Sequence, residues 1–297
     1  MFRVCWMVCS LLTLGLSAGE AQTEPAWRQA WLARLNQERA LAGVPPLRLV
    51  PVLVQVAQEQ AAEMISGRGR QYRRISADVI AERLRRVGYT AHDWREDFVL
   101  LTADPEDALS RWRRESFHAA LDERFRDLGV GAVLAGGVPL YVFLFGWHEG
   151  DYFARQTAGL DDRTRVAAEM LERVNAVRRR AGLAPLVANP LLDRVAQKHA
   201  EDMLARSYFG HRTPEGMGPS ERALAAGYPS GIGENLVEQR FSVEEALEAW
   251  LSSPGHRRNI LDPGCRDMGL GLAVGEGYDA APGGYRVIWV QSCGSGG

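Results

Sequence analysis

Residues 233–263 read GENLVEQRFSVEEALEAWLSSPGHRRNILDP. Within them Val243, Ala246, Leu247, Trp250 and Leu251 recur at spacings of three and four, the period of a helix with one apolar face. Ser242 is suited to cap its start, with Glu245 three residues on as the partner of a capping box. Pro254-Gly255 reads as its stop. Glu234 then precedes the helix and His256 follows it. A turn at each end would bring the two onto one side, into a shared cleft.

These motifs carry a resemblance. Gly-Glu-Asn-Leu at 233–236, the helix holding Ala246, Ala249 and Trp250, and PGHRRNIL at 254–261 follow an upstream Phe209-Gly210-His211, which itself follows AQKHAEDMLARSY. Taken in that order, from Thr164 to Gly294, the set resembles the core of the CAP superfamily, or SCP domain. That group takes in cysteine-rich secretory proteins, insect venom antigen 5, plant pathogenesis-related proteins and many secreted bacterial proteins. The resemblance implies an α-β-α three-layer sandwich and a cleft with two histidines and two glutamates. Matched motif by motif, the histidines are His211 and His256, and the first glutamate is Glu234. The second glutamate should stand three residues after the helix tryptophan, where this chain has Ser253.

The chain also repeats itself. Residues 31–64 align without gaps on 170–203, at a constant offset of 139. Asn36 meets Asn175, Gly43 meets Gly182, and Val56-Ala57-Gln58 meets Val195-Ala196-Gln197. Glu82-Arg83 meets Glu221-Arg222, and Gly88-Tyr89 meets Gly227-Tyr228. After a one-residue slip Glu96 meets Glu234, Trp112 meets Trp250 and His118 meets His256. Register held across so many turns reads as two copies of one domain. The expected organisation is a leader at 1–21, a degenerate CAP-like domain at 25–150, a linker at 151–163 and a CAP domain at 164–297. The first copy has Glu96, Glu115 at the post-tryptophan position, and His118, but Tyr72 stands where the second has His211. In each copy helices lead (27–42 and 51–66; 164–181 and 190–206) and two strands close (129–134 and 139–145; 269–274 and 285–291). That order is α+β.

A chain of 297 residues with 46% hydrophobic and 24% charged residues can fill two cores and is not disordered in composition. A net charge of −2 gives no electrostatic basis for a nucleic-acid partner. The basic run Arg68, Arg70, Arg73 and Arg74 reads as a solvated loop. Arg3, the apolar run Val4 to Leu16 and Gly19-Glu20-Ala21 fit a secretory leader cleaved after Ala21 or Ala18, with retention as an N-terminal anchor the alternative. Gly15-Leu16-Ser17-Ala18-Gly19 matches a nucleophile-elbow pattern, but it sits in the leader without a strand-turn-helix context. No later stretch is apolar enough to span a membrane. Cys5 and Cys9 would leave with the leader. Cys265 and Cys293 then remain as an even pair, either bridged, closing a loop of roughly 28 residues, or two buried thiols.

Two imidazoles facing one pocket can hold a divalent metal such as Zn2+, weakly with only His211 and His256 as ligands. Glu234 and one histidine can instead form an acid–base pair. Ser253 has no visible partners as a nucleophile. His199 reads as a helix-surface histidine. Trp112, Trp250 and Trp289 read as packing, and Glu244, Glu245 and Glu248 as a solvated helix face. The function expected is an exported binding module, in the periplasm or at the cell surface. It would take a cell-envelope component, a lipid or a partner protein in the second cleft. The alternatives are a metal-assisted or acid–base hydrolase using the same residues, and a purely buttressing role for the first copy.

Overall fold

The computed structural model describes residues 25–65, 75–100, 109–110, 112–113, 117–135, 137–277 and 284–296. Tyr72, Glu115, the arginine run at 68–74 and the leader lie outside the described residues. The chain divides into two compact units, up to Asp151 and from Tyr152 onward.

In the first unit the chain runs α1 (Ala26–Leu41), β1 (Arg48–Leu49), α2 (Pro51–Met64), α3 (Ala77–Arg86), β2 (Ala91–Leu100), α4 (His118–Leu121), β3 (Asp127–Ala135) and β4 (Val138–His148). Residues 109–110 and 112–113 are also helical. The strands form one sheet in the order β1-β3-β4-β2. Helix α5 (Glu149–Thr157) crosses the division and covers part of the stretch read as linker. The second unit continues with α6 (Arg163–Arg180), β5 (Val187–Ala188), α7 (Pro190–Ala205), α8 (Pro219–Ala225), β6 (Ile232–Glu238), α9 (Val243–Ser252), α10 (Pro254–Ile260), β7 (Asp267–Glu276) and β8 (Tyr285–Gly294). Its sheet is ordered β5-β7-β8-β6, the same topology. In each sheet the two-residue strand pairs in parallel and the others antiparallel.

Strand alternation makes the layers. Successive strand residues point to opposite faces. Val287, Trp289 and Cys293 of β8 join a core with Met170 and Val174 of α6 and Leu247 and Trp250 of α9. Ile288 and Val290 join a second core with Ala196, Ala200 and Met203 of α7. The sheet therefore lies between two helical layers, and the fold is the α+β, three-layer arrangement expected. Helix α7 rests directly on the sheet at Gly269 and Gly271. A Cβ at Gly269 would lie 2.2 Å from the backbone carbon of Leu192, and one at Gly271 2.3 Å from that of Ala196. Gly129 and Gly131 stand as close to Leu53 and Ala57 of α2.

The same polar staples recur in both units. Asn36 exchanges two hydrogen bonds with the backbone of Leu47, at 3.0 and 2.7 Å; Asn175 does the same with Leu186, at 2.9 and 2.7 Å. The Arg39 guanidinium is fully buried and donates to the carbonyls of Pro45, Ala120, Asp122 and Phe125. Arg178 donates to those of Ala184, Ile260, Asp262 and Cys265. The Tyr89 hydroxyl donates to Asp127, and that of Tyr228 to Asp267.

The sequence pattern predicts two strands in each copy, but each sheet has four; β2 and β6 precede helices and do not alternate cleanly in hydrophobicity. Pro254 does not simply stop α9. It opens α10, because a proline without an N–H fits the first turn of a helix. His256 therefore lies within a helix. Cys265 and Cys293 are bridged, with Cα atoms 5.9 Å apart.

Candidate functional site

Strand β6 is an edge strand, paired only with β8. Its alternation sends consecutive residues of the Gly-Glu-Asn motif to opposite faces. Leu236 and Ile232 face the α7 and α8 layer, so Glu234 between them does too. Asn235 faces the layer that holds α10.

Glu234 is 5% exposed, and both of its carboxylate oxygens are engaged. Oε2 accepts from Nη2 of Arg222 at 2.6 Å. Oε1 lies 2.9 Å from Nδ1 of His211, whose side chain is half exposed. A carboxylate oxygen only accepts, so Nδ1 carries the proton, and Nε2 of a neutral His211 is left as an acceptor. Arg222 also donates through Nη1 to the carbonyls of His211 and Met217, at 2.8 and 2.9 Å. One guanidinium thus holds both the carboxylate and the loop that presents His211.

Behind Glu234 stands His199. It is not on the helix surface as the sequence suggested, but 1% exposed on the inner face of α7. Its Nε2–H donates to the carbonyl of Gly210 at 2.9 Å, the residue before His211. Its distance of 3.9 Å from Glu234 is too long for a hydrogen bond. Burial pushes its pKa below the ordinary histidine value, with Arg222 adding to the effect and Glu234 opposing it.

His256 stands on α10. Burial lowers its pKa, and a protonated His211 adds to the effect. Its backbone carbonyl accepts from Nδ2 of Asn235 at 3.1 Å. Asn259, one turn on, donates from Nδ2 to the Glu234 carbonyl at 3.1 Å and to Oδ1 of Asn235 at 2.8 Å. Asn235 donates further to Oε1 of Gln291, at 2.7 Å. Ser253, at the position implied for a second glutamate, is the residue before α10 and supplies no charge. Ser242 caps α9: its Oγ accepts from the backbone N–H of Glu245, whose carboxylate accepts from the N–H of Phe241, the residue before the cap, so the reciprocal bond of a capping box is not made to Ser242. Trp289 is fully buried, with Nε1 donating to the Arg240 carbonyl.

In the first unit Glu96 occupies the register position of Glu234. It faces Leu144 across the sheet as Glu234 faces Ser292. Its oxygen accepts from Nε2 of Gln60 at 2.6 Å, and Gln60 stands where α7 has His199. Arg83, the counterpart of Arg222, donates to Gln60 and to Glu63. His118 is exposed at the start of α4. The carbonyls gripped by Arg39 and Arg178 pair Ala120 with Ile260 and Phe125 with Cys265, a shift of 140. That shift sets His118 opposite Arg258, not His256, so the one-residue slip read from sequence does not hold beyond Trp112.

Sequence reasoning missed His199 and Arg222 as parts of the site. The repeat held the signal for Arg222, since Glu82-Arg83 and Glu221-Arg222 align. His199 gave none, because a lone histidine at helical spacing does not report which face it takes. Among the described residues no three His, Cys, Asp or Glu side chains gather so as to hold a metal ion. His211 and His256 offer two imidazoles, short of the three or four protein ligands usual for zinc.

No described helix is long and apolar enough to cross a membrane. The family model described as "Cysteine-rich secretory protein family", CAP, matches residues 32–145 and again 171–293. The chain is 34% identical over 104 residues to the Bacillus subtilis uncharacterized protein YkwD, covering 35% of this chain and 40% of that one. It is 31% identical over 106 residues to the uncharacterized membrane protein YlbC of Bacillus subtilis, covering 35% and 30%. The matched regions thus span well under half of these relatives. Among solved structures, an extracellular SCP-domain protein from Bacillus anthracis aligns at 21% identity over 55% of this chain and 59% of that one, with a TM-score of 0.35. With both copies matched by one family model, the chain belongs to the CAP, or cysteine-rich secretory protein, family.

Proposed function

We propose that this chain is an exported CAP-family protein that works by binding. On this reading a cell-envelope component, a lipid or a partner protein is held at the cleft formed by His211, Glu234 and His256. The observation that carries the reading is the state of Glu234. Both its oxygens are committed, one to Arg222 and one to His211, so the carboxylate holds the cleft together rather than standing ready to take a proton. The imidazole of His211 is half exposed, and burial lowers the pKa of His256, which favours its neutral form. A neutral His256 ring can accept a hydrogen bond from a ligand. Export is supported by the leader-like run Val4 to Leu16 and by the Cys265–Cys293 bridge, since disulfides persist in oxidising compartments.

A hydrolase remains the second reading, on one observation. The Glu234–His211 contact leaves Nε2 outward, as in a histidine base oriented by a carboxylate.

The test is co-sedimentation of the mature chain with peptidoglycan sacculi, with phosphatidylglycerol vesicles and with phosphatidylcholine vesicles, together with a mixed panel of ester and peptide substrates. Retention by one of the three, lost in a His211→Ala/His256→Ala double variant, is the expected result. Retention by none, or turnover that the double variant abolishes, would overturn the binding reading.

A further inference from the structure

The two units treat one buried tryptophan differently. In the first, Trp112 is 3% exposed and its Nε1 donates to Oδ2 of Asp97 at 2.6 Å. In the second, Trp250 is fully buried in the corresponding core, yet its Nε1 has no protein acceptor. The register identifies the residue that should accept. Asp97 pairs with Phe143 in the first sheet, and Asn235 pairs with Gln291 in the second, each next to the matched glutamate. Asn235 therefore stands where Asp97 stands.

Asn235 is fully buried and spends its amide elsewhere. Its Nδ2 donates to the carbonyl of His256 and to Gln291, and its Oδ1 accepts from Asn259. Asn259 also donates to the Glu234 carbonyl. These bonds cross from β6 to α10 in both directions. The first unit lacks two of these side chains: by the carbonyl alignment Asn259 falls on Ala119, and by the strand register Gln291 falls on Phe143. Nε2 of Gln291 is a second buried donor without a protein partner.

A core built only for stability would put an acceptor at 235, as the first unit does. We propose that Asn235 is a positioning residue of the cleft, with Asn259 as its partner. Its side chain fixes α10 against β6 and so sets where the His256 ring stands relative to Glu234 and His211. The unpaired N–H groups of Trp250 and Gln291 are the cost of that arrangement. The role given to His256 rests on the binding reading; the clamp itself does not.

The experiment compares Asn235→Asp, Asn259→Ala and Trp250→Phe in the full chain, by backbone amide exchange and by the ring resonances of His256. Asn235→Asp keeps the shape, returns an acceptor to Trp250, and removes the donor to His256. The expected result is a downfield shift of the Trp250 indole N–H and exchange in 254–260 faster by about tenfold, the equivalent of one lost hydrogen bond. The His256 ring resonances should shift, while exchange in α6 and α7 stays as in the parent chain. Asn259→Ala, which adds no charge, should loosen 254–260 in the same way. Trp250→Phe, which removes the unpaired group without touching Asn235, should leave 254–260 and His256 as they were. Unchanged exchange in 254–260 in both asparagine variants would overturn the proposal. So would acceleration spread evenly over 163–294, the mark of a core residue only. These readouts need no ligand. Failure of the parent chain to sediment with sacculi or vesicles would sink the binding reading and leave the clamp standing.

Discussion

In the first unit Glu96 accepts a hydrogen bond from Gln60, and Asp97 accepts one from the core tryptophan. In the second, Glu234 is gripped by Arg222 and His211, and Asn235 serves α10. Around these differences the skeleton is constant. The Asn36 and Asn175 staples, the buried Arg39 and Arg178, and the Tyr89 and Tyr228 hydroxyls make matching bonds in matching places. The bonds common to both are those any copy of the fold needs. The differences around Glu234 and Asn235 lie on the edge strand β6 and the helices beside it, where the candidate cleft residues stand.

The strongest way to break this comparison is at the buried arginines. Arg39→Met or Arg178→Met leaves carbonyls in the core without donors, at about 1–3 kcal/mol for each that stays dry. Each variant should destabilise its own unit by about 3–5 kcal/mol, read by amide exchange in that unit. A marked difference between the two costs would show that the skeleton is not shared in energy as it is in geometry.

The bridge is the next point of attack. Cys265 and Cys293 correspond to Phe125 and Phe145, whose rings pack 6.4 Å apart. One unit ties these segments covalently and the other fills the same place with aromatic surface. Reduction, or Cys265→Ser with Cys293→Ser, should cost the second unit about 3–4 kcal/mol and leave the first untouched. An equal loss in both would mean that the units do not unfold separately.

Much of this architecture was legible in the sequence, because the repeat is periodic and its staples are spelled out. Asn36, Arg39, Tyr89 and their counterparts hold one offset from α1 through α3, and the helices there fall within a residue or two of their expected bounds. The strand register puts Glu96 at the place of Glu234. What was not legible lay after Trp112, where the offset changes from 138 to 140 and no local motif marks the change. His118 was misplaced for that reason. The burial of His199 was hidden for another: which face of α7 packs on the sheet is set by Gly269 and Gly271, some seventy residues away in sequence.

A smaller effect separates the two glutamates. Glu234→Gln would leave Arg222, whose side chain is only 10% exposed, without its anionic partner. The expected loss is about 2–3 kcal/mol in the second unit, within the range for hydrogen bonds to charged groups. It should come with a disordered His211 loop, because Arg222 also holds the carbonyls of His211 and Met217. Glu96→Gln should cost less, because the amide oxygen it leaves can still accept the bond from Gln60 Nε2. Equal losses from the two substitutions would remove Arg222 from the site.

The smallest effect is the most specific, and it comes from pH. His199 and His256 both have pKa values lowered in the folded state, chiefly by burial. The unfolded chain takes up those protons near the ordinary histidine value of about 6.5, whereas the folded chain resists. Between that value and the lower folded ones the unfolded state binds more protons, so stability falls as pH falls. The slope is at most ~1.4 kcal/mol per pH unit for each histidine. His199 is faced by Glu234 and Asp202, which oppose the effect, by Arg222, which adds to it, and by the carbonyl of Gly210, which Nε2–H already satisfies. Burial outweighs the two carboxylates, so the expected direction is destabilisation between pH 7 and about 5, above the range where carboxylates titrate. Gln60 holds the place of His199 in the first unit and does not titrate, so that part of the fall belongs to the second unit alone. His199→Gln imports the first unit's residue and can still donate to Gly210. It should flatten the slope in the second unit while keeping the His211 loop in place. A slope unchanged by His199→Gln would assign the pH dependence to His256, and a second unit equally stable at pH 7 and 5 would mean that neither buried ring resists protonation.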